Sequence, residues 1–131
     1  MKKITITALL GGMFLLLASG CYRVATVEID NSPAVTKTVS FGTDCIPILN
    51  KSCALTGCHG AGGHVPDLTM ANAYNSLISG NYIDKTKPSN STIYLWLTGK
   101  KAVIMPMGAG NNPSNINALV LAWITQGAKN N

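Results

Sequence analysis

Three side chains in the stretch from Cys53 to Gly60, "CALTGCHG", are equipped to do chemistry together: the thiols of Cys53 and Cys58 and the imidazole of His59. Two thiols on one loop can add to the two vinyl groups at the edge of a haem, and a histidine directly after the second thiol can turn a ring nitrogen to the iron. The same groups, with Cys45 and with His59 or His64, also make a four-ligand set for zinc. A third outcome is a Cys53 to Cys58 disulfide, which closes a small loop with little entropic gain and leaves His59 without a task. Four residues separate the cysteines, where the common haem-attachment motif has two. Such a gap can bulge outward without moving either sulfur, and Gly57 suits a tight backbone just before Cys58.

An iron held by histidine on one face takes a ligand on the other. Downstream comes "KAVIMPMGAGNNP", in which Pro106 holds Met105 in an extended backbone and the glycines that follow let a loop wrap over a flat cofactor. Thioether and imidazole together are an electron-transfer pairing. Met107 offers a second sulfur in the same loop, and an isolated methionine serves equally well to fill a core gap. His64 lies only five residues past His59, too near to reach the opposite face, and is expected to be exposed near the haem edge.

The elements that must carry these groups begin after an export signal. Lys2 and Lys3 precede an apolar run, Ile4 to Leu17, that is short for a membrane span and ends in "LLASGC". This ending resembles the lipobox of bacterial lipoproteins, and the resemblance implies that residues 1–20 are removed and that Cys21 becomes a lipid anchor; a plain secretory signal and an uncut anchor are the other readings. Residues 21–40, rich in Val and Thr with no helical period, are expected to form a tether with at most a short strand, leaving 41–131 as one domain. The formal charge is +5, of which Lys2 and Lys3 leave with the signal, so +3 remains and nucleic-acid binding has no support. Outside the cytoplasm paired thiols oxidise unless something claims them. Without Cys21, three cysteines remain, and Cys45 is left as a small apolar residue if Cys53 and Cys58 hold a cofactor.

Four short helices are expected within the domain. The first runs from about Thr43, as N-cap, to Lys51, with Phe41, Cys45, Ile48 and Leu49 at helical spacing and Pro47 near its start. The second, "TMANAYNSLISG", has Thr69 as N-cap, Ala73, Leu77 and Ile78 as its apolar set and Gly80 as its stop. The third, "SNSTIYLWLTG", starts at Ser89 or Asn90 and ends at Gly99. The fourth has Asn112 as N-cap, Pro113 at its first position, a stripe of Ile116, Leu119, Val120, Trp123 and Ile124, and Gly127 at its end.

Taken in order, "CIPIL", "CALTGCHG", "PDLT", "SNSTIYLWLTG", "IMPMG" and "AWITQGA" resemble the single-haem cytochrome c domains common in exported proteins of Bacteroidetes and Planctomycetes, over roughly residues 41 to 128. The resemblance implies an all-α, cytochrome c-like fold of about four short helices around one covalent haem c, bound through Cys53 and Cys58. It further implies His59 as the proximal ligand, Met105 as the distal ligand with Met107 as runner-up, and Pro66 as the residue whose carbonyl receives the His59 N–H. Trp123 and Tyr94 are then core aromatics beside the haem, the final helix crosses the first, and the haem-free chain is poorly folded. The function implied is a non-enzymatic, lipid-anchored electron carrier of the bacterial envelope, on the periplasmic side of the outer membrane or at the cell surface. Its partners would be other redox proteins and, through Cys21, the bilayer, with Lys85, Lys87, Lys100 and Lys101 as a weak dock for an acidic partner. A haem sensor with a displaceable distal ligand and a zinc- or disulfide-stapled structural lipoprotein are the competing functions.

Overall fold

The computed structural model describes residues 34–107 and 114–131. The expected signal, Cys21 and most of the expected tether, and also Asn112 and Pro113, lie outside the described residues. All regular structure among the described residues is helical, with no strand, in agreement with an all-α chain.

The first helix opens with a π-helical turn, Phe41–Cys45, that runs directly into α1, Ile46–Ser52. The wide turn immediately precedes Pro47, whose ring would crowd the Thr43 carbonyl in a regular α-helix. Its cap is Ser40 rather than Thr43. The Ser40 hydroxyl accepts from the Thr43 N–H at 3.3 Å, and the Asp44 carboxylate accepts from the Ser40 N–H at 2.9 Å, a reciprocal cap that places the helix start at Phe41. Phe41, Cys45, Ile46 and Leu49 form the buried face, with Ile48 only half-buried.

An irregular stretch holding the cysteine and histidine motif leads to α2, Ala73–Ser79. Thr69 heads the turn before it, its carbonyl accepting from the Asn72 and Ala73 N–H groups, so Asn72 rather than Thr69 is the N-cap. A 3-10 turn, Pro88–Asn90, then precedes α3, Thr92–Leu97, and the long helix α4 spans Ser114–Thr125. All three of these α-helices finish in the same way. The amide two residues past the C-cap bonds five residues back, as in Tyr82 N–H to Leu77 O, Lys100 N–H to Leu95 O and Ala128 N–H to Trp123 O. The left-handed residue this closure requires is Gly99 after α3 and Gly127 after α4. After α2 it is Asn81, at φ 57°, and not the expected Gly80. Gly80 instead lies against the Tyr82 ring, where an added Cβ would come within 2.3 Å of a ring carbon.

The core gathers where α4 packs on the π-helical turn. The Phe41 and Trp123 rings lie with centroids 4.7 Å apart, and Tyr74 from α2 meets Phe41 edge-on at 5.5 Å. Val120, Trp123 and Ile124 are buried along the α4 stripe, while Ile116 and Leu119 are half-buried. Tyr74 and Trp123 also satisfy backbone carbonyls beyond α4, at Ala128 (3.2 Å) and Lys129 (2.9 Å).

Packing begins before Phe41. Val39 is part of the core, its N–H bonds the Gln126 side-chain oxygen at 2.8 Å, and the Gln126 amide donates to the Lys37 carbonyl at 3.0 Å. Asn131 closes the same region from the other end of the chain. Its backbone oxygen accepts from the Gly42 N–H and the Ser40 hydroxyl, and its side-chain oxygen accepts from the Phe41 N–H. These bonds fill donors that a helix start leaves open.

Candidate functional site

Cys53 is the C-cap of α1, so the first thiol is set by a rigid helix; its N–H bonds the Leu49 carbonyl at 2.8 Å. The four-residue gap that follows is a turn. The Cys58 N–H bonds the Leu55 carbonyl at 2.9 Å, and Gly57 takes φ 79°, the left-handed conformation that the third position of a type II turn needs. The His59 N–H then returns to the Cys53 carbonyl at 3.0 Å. The extra residues are thus folded out through Leu55, which is 47% exposed, while the two ends of the motif are tied together.

Neither Cys53 nor Cys58 is in a disulfide, and both are half-buried. Cys53 packs against the core, and burial, with a smaller contribution from the neighbouring Cys58, pushes its thiol up to about 11. Among the described residues no three His, Cys, Asp or Glu side chains gather into a group that could hold a metal ion.

His59 is the most constrained of the expected site residues. Its Nδ1 lies 3.0 Å from the Pro66 carbonyl oxygen and 3.1 Å from the His64 carbonyl oxygen. Carbonyl oxygens only accept, so Nδ1 carries the proton and the neutral ring keeps its lone pair on Nε2, the nitrogen a metal would take. The peptide around it is closed by the His64 N–H on the Cys58 carbonyl at 2.7 Å and the Leu68 N–H on the His59 carbonyl at 2.8 Å. Gly60 is buried in this loop, and Gly63 has no room for a side chain. The Pro66 contact was anticipated from the resemblance to a family; the His64 carbonyl was not, because a backbone acceptor leaves no mark on residue type. The two glycines were the available signal. His64 itself points its side chain into solvent.

The other expected ligand follows α3 in the chain. Met105 is half-buried, with its N–H on the Trp96 carbonyl of α3 at 3.2 Å, whereas Met107 is 69% exposed. Tyr94 and Trp123 are both buried. Lys85, Lys87, Lys100 and Lys101 are all exposed.

Two acidic groups brace turns at helix starts, Asp67 before α2 and Asp44 at the head of the first helix. Asp67 accepts from the Thr69 hydroxyl, the Thr69 N–H and the Asn72 amide, and Asp44 accepts from Lys37 at 2.6 Å and from the Ser40 N–H. The Thr69 hydroxyl bond, foremost, holds Asp67 below the ordinary carboxylate range, and the Lys37 bond does the same for Asp44. A carboxylate with a lowered folded pKa contributes stability that is present above its unfolded pKa, about 4, and is lost as pH falls through the folded value. Unfolding midpoints should therefore fall below about pH 4, and Asp67→Asn should flatten part of that slope in a denaturant series across pH. A slope unchanged in the variant would show that Asp67 does not carry it.

Cys45 is 2% exposed within the core, and burial, aided by the Asp44 charge, pushes its thiol up to about 12. The folded protein should leave Cys45 unlabelled by a maleimide at pH 8, with labelling complete after denaturation, as read by intact mass. Rapid labelling of the native chain at this position would contradict its place in the core.

Comparison of the chain with protein-family models, with curated proteins and with solved structures gives no match.

Proposed function

We propose that this protein is a monohaem c-type cytochrome, a non-enzymatic electron-transfer protein carried on the bacterial envelope by an acylated Cys21. The observation that carries this reading is the state of His59. Two carbonyls take its Nδ1–H and leave Nε2 available, beside two unpaired thiols on a loop whose ends are tied together. This donor set suits haem c. Cys53 and Cys58 would hold it through thioether bonds, and His59 and Met105 would ligate its iron. When bound, the haem supplies reversible one-electron chemistry at its iron.

The remaining residues act on that group by placement. Pro66 orients the imidazole and fixes its tautomer, which raises its strength as a ligand. The Cys53 end of the motif packs on the core and keeps one thiol on an ordered helix terminus. With His59 and Met105 both ligating the iron, no coordination position would be left for a substrate, which fits a carrier rather than an enzyme. A cytochrome c-like arrangement is supported by the order of parts: a helix leading into the cysteine motif, a methionine loop after α3, and a last helix packed on the first through Phe41 and Trp123. The exposed lysines, Lys85, Lys87, Lys100 and Lys101, would favour an acidic redox partner, with a contribution that salt reduces.

Expression with the c-type haem maturation machinery tests the reading. The expected product is red, keeps its haem through denaturation, and gains the mass of one haem; a colourless product with both thiols free would overturn it.

A further inference from the structure

The imidazole of His59 has two acceptors where one is enough to set its tautomer, and the second follows from how the loop is closed. The chain from Cys58 to His64 folds back so that the Cys58 carbonyl receives the His64 N–H at 2.7 Å, while the Gly63 N–H bonds the Gly60 carbonyl at 3.0 Å. A Cβ on Gly63 would lie 2.4 Å from the Cys58 oxygen, a distance no side chain tolerates. A Cβ on Gly60 would meet the Leu55 and Ala54 carbonyl oxygens at 3.0 and 3.1 Å. The close return of this loop is what sets the His64 carbonyl 3.1 Å from Nδ1, alongside the 3.0 Å contact from Pro66.

We infer that the His64 carbonyl, held in position by Gly63, is a second positioning group for the His59 ring and strengthens its Nε2 as an iron ligand. The inference rests on the proposed haem site and specifies how that site is tuned. An N–H shared between two carbonyls is more strongly polarised than one given to a single acceptor, and the electron density it returns to the ring reaches Nε2. A more basic axial imidazole favours the oxidised iron and lowers the reduction potential.

The direct test replaces Val65 by its α-hydroxy analogue in the haem-loaded protein, which turns the peptide after His64 into an ester and makes the His64 carbonyl a weaker acceptor. Val65 is 80% exposed, so the change leaves packing alone. Exchange of the His59 Nδ1–H with solvent, followed by NMR, should speed up about fivefold, and the midpoint potential should rise. Gly63→Ala should move both readings the same way and further, while Val65→Ala should move neither. Haem attached with exchange and potential both unchanged in the ester variant would overturn the inference alone. A wild-type chain that takes up no covalent haem would overturn the proposed function, and this inference with it.

Discussion

Replacing Met105 by alanine should abolish the near-infrared sulfur-to-iron charge-transfer band of the oxidised haem protein and open the reduced form to carbon monoxide, whereas Met107→Ala should leave both as they are. The two sulfurs lie in one loop, but their surroundings differ. Met105 is half-buried and its backbone is pinned to the Trp96 carbonyl of α3. Just before it, Ile104 packs its side chain against Gly99, where an added Cβ would come within 3.3 Å. Met107 is 69% exposed, and ordering it over an iron would cost rotamer freedom that Met105 has largely surrendered already. Loss of the band in the Met107 variant and its survival in the Met105 variant would reverse the assignment. Binding of carbon monoxide by the unmodified reduced protein would point instead to a displaceable ligand and a sensing role.

The second large effect is expected in the core. Trp123→Ala should destabilise the protein by about 3–5 kcal/mol, the range for removing a buried aromatic side chain, as measured by equilibrium denaturation of the haem-loaded form. Trp123 is 2% exposed, its ring stacks at a tilt on Phe41, and its Nε1–H fills the Lys129 carbonyl. It therefore joins α4 to the start of the first helix and also holds the chain that returns after α4. Trp123→Phe should recover most of the packing and lose the bond to Lys129, about 0.5–1.5 kcal/mol. A loss below about 1 kcal/mol for the alanine variant would mean that the joint between these helices is carried elsewhere.

The helices were legible because their apolar residues recur at helical spacing: the buried set Val120, Trp123 and Ile124 could be read directly from the sequence. Their ends were only partly so. Gly99 and Gly127 announced the left-handed residues that close α3 and α4, but after α2 that place is filled by Asn81, and the glycine beside it serves a ring contact instead. Thr43 reads as the cap by residue type, and only the contact of Asp44 back to the Ser40 N–H moves the cap to Ser40. Asn131 could not have been assigned at all, since nothing in residue type reveals that a side chain 90 positions away accepts from the Phe41 N–H. At the site, Cys53, Cys58 and His59 identify themselves by chemistry. The turn that absorbs the longer gap was legible through Gly57, and the carbonyls around Nδ1 were legible only through glycines with no room to spare.

The Gln126 and Asn131 contacts have a mechanical meaning. A load entering the domain at Ala34 meets Gln126, which grips the backbone at Lys37 and Val39, and then Asn131, which grips it again at Ser40 to Gly42. Both grips precede α1, and Cys53 stands at the far end of that helix. Tension on the upstream chain is therefore borne as shear between the chain's leading segment and the residues at and after the end of α4. The loop that fixes the orientation of His59 lies beyond this anchorage, so the imidazole would hold its aim under tension on the upstream chain.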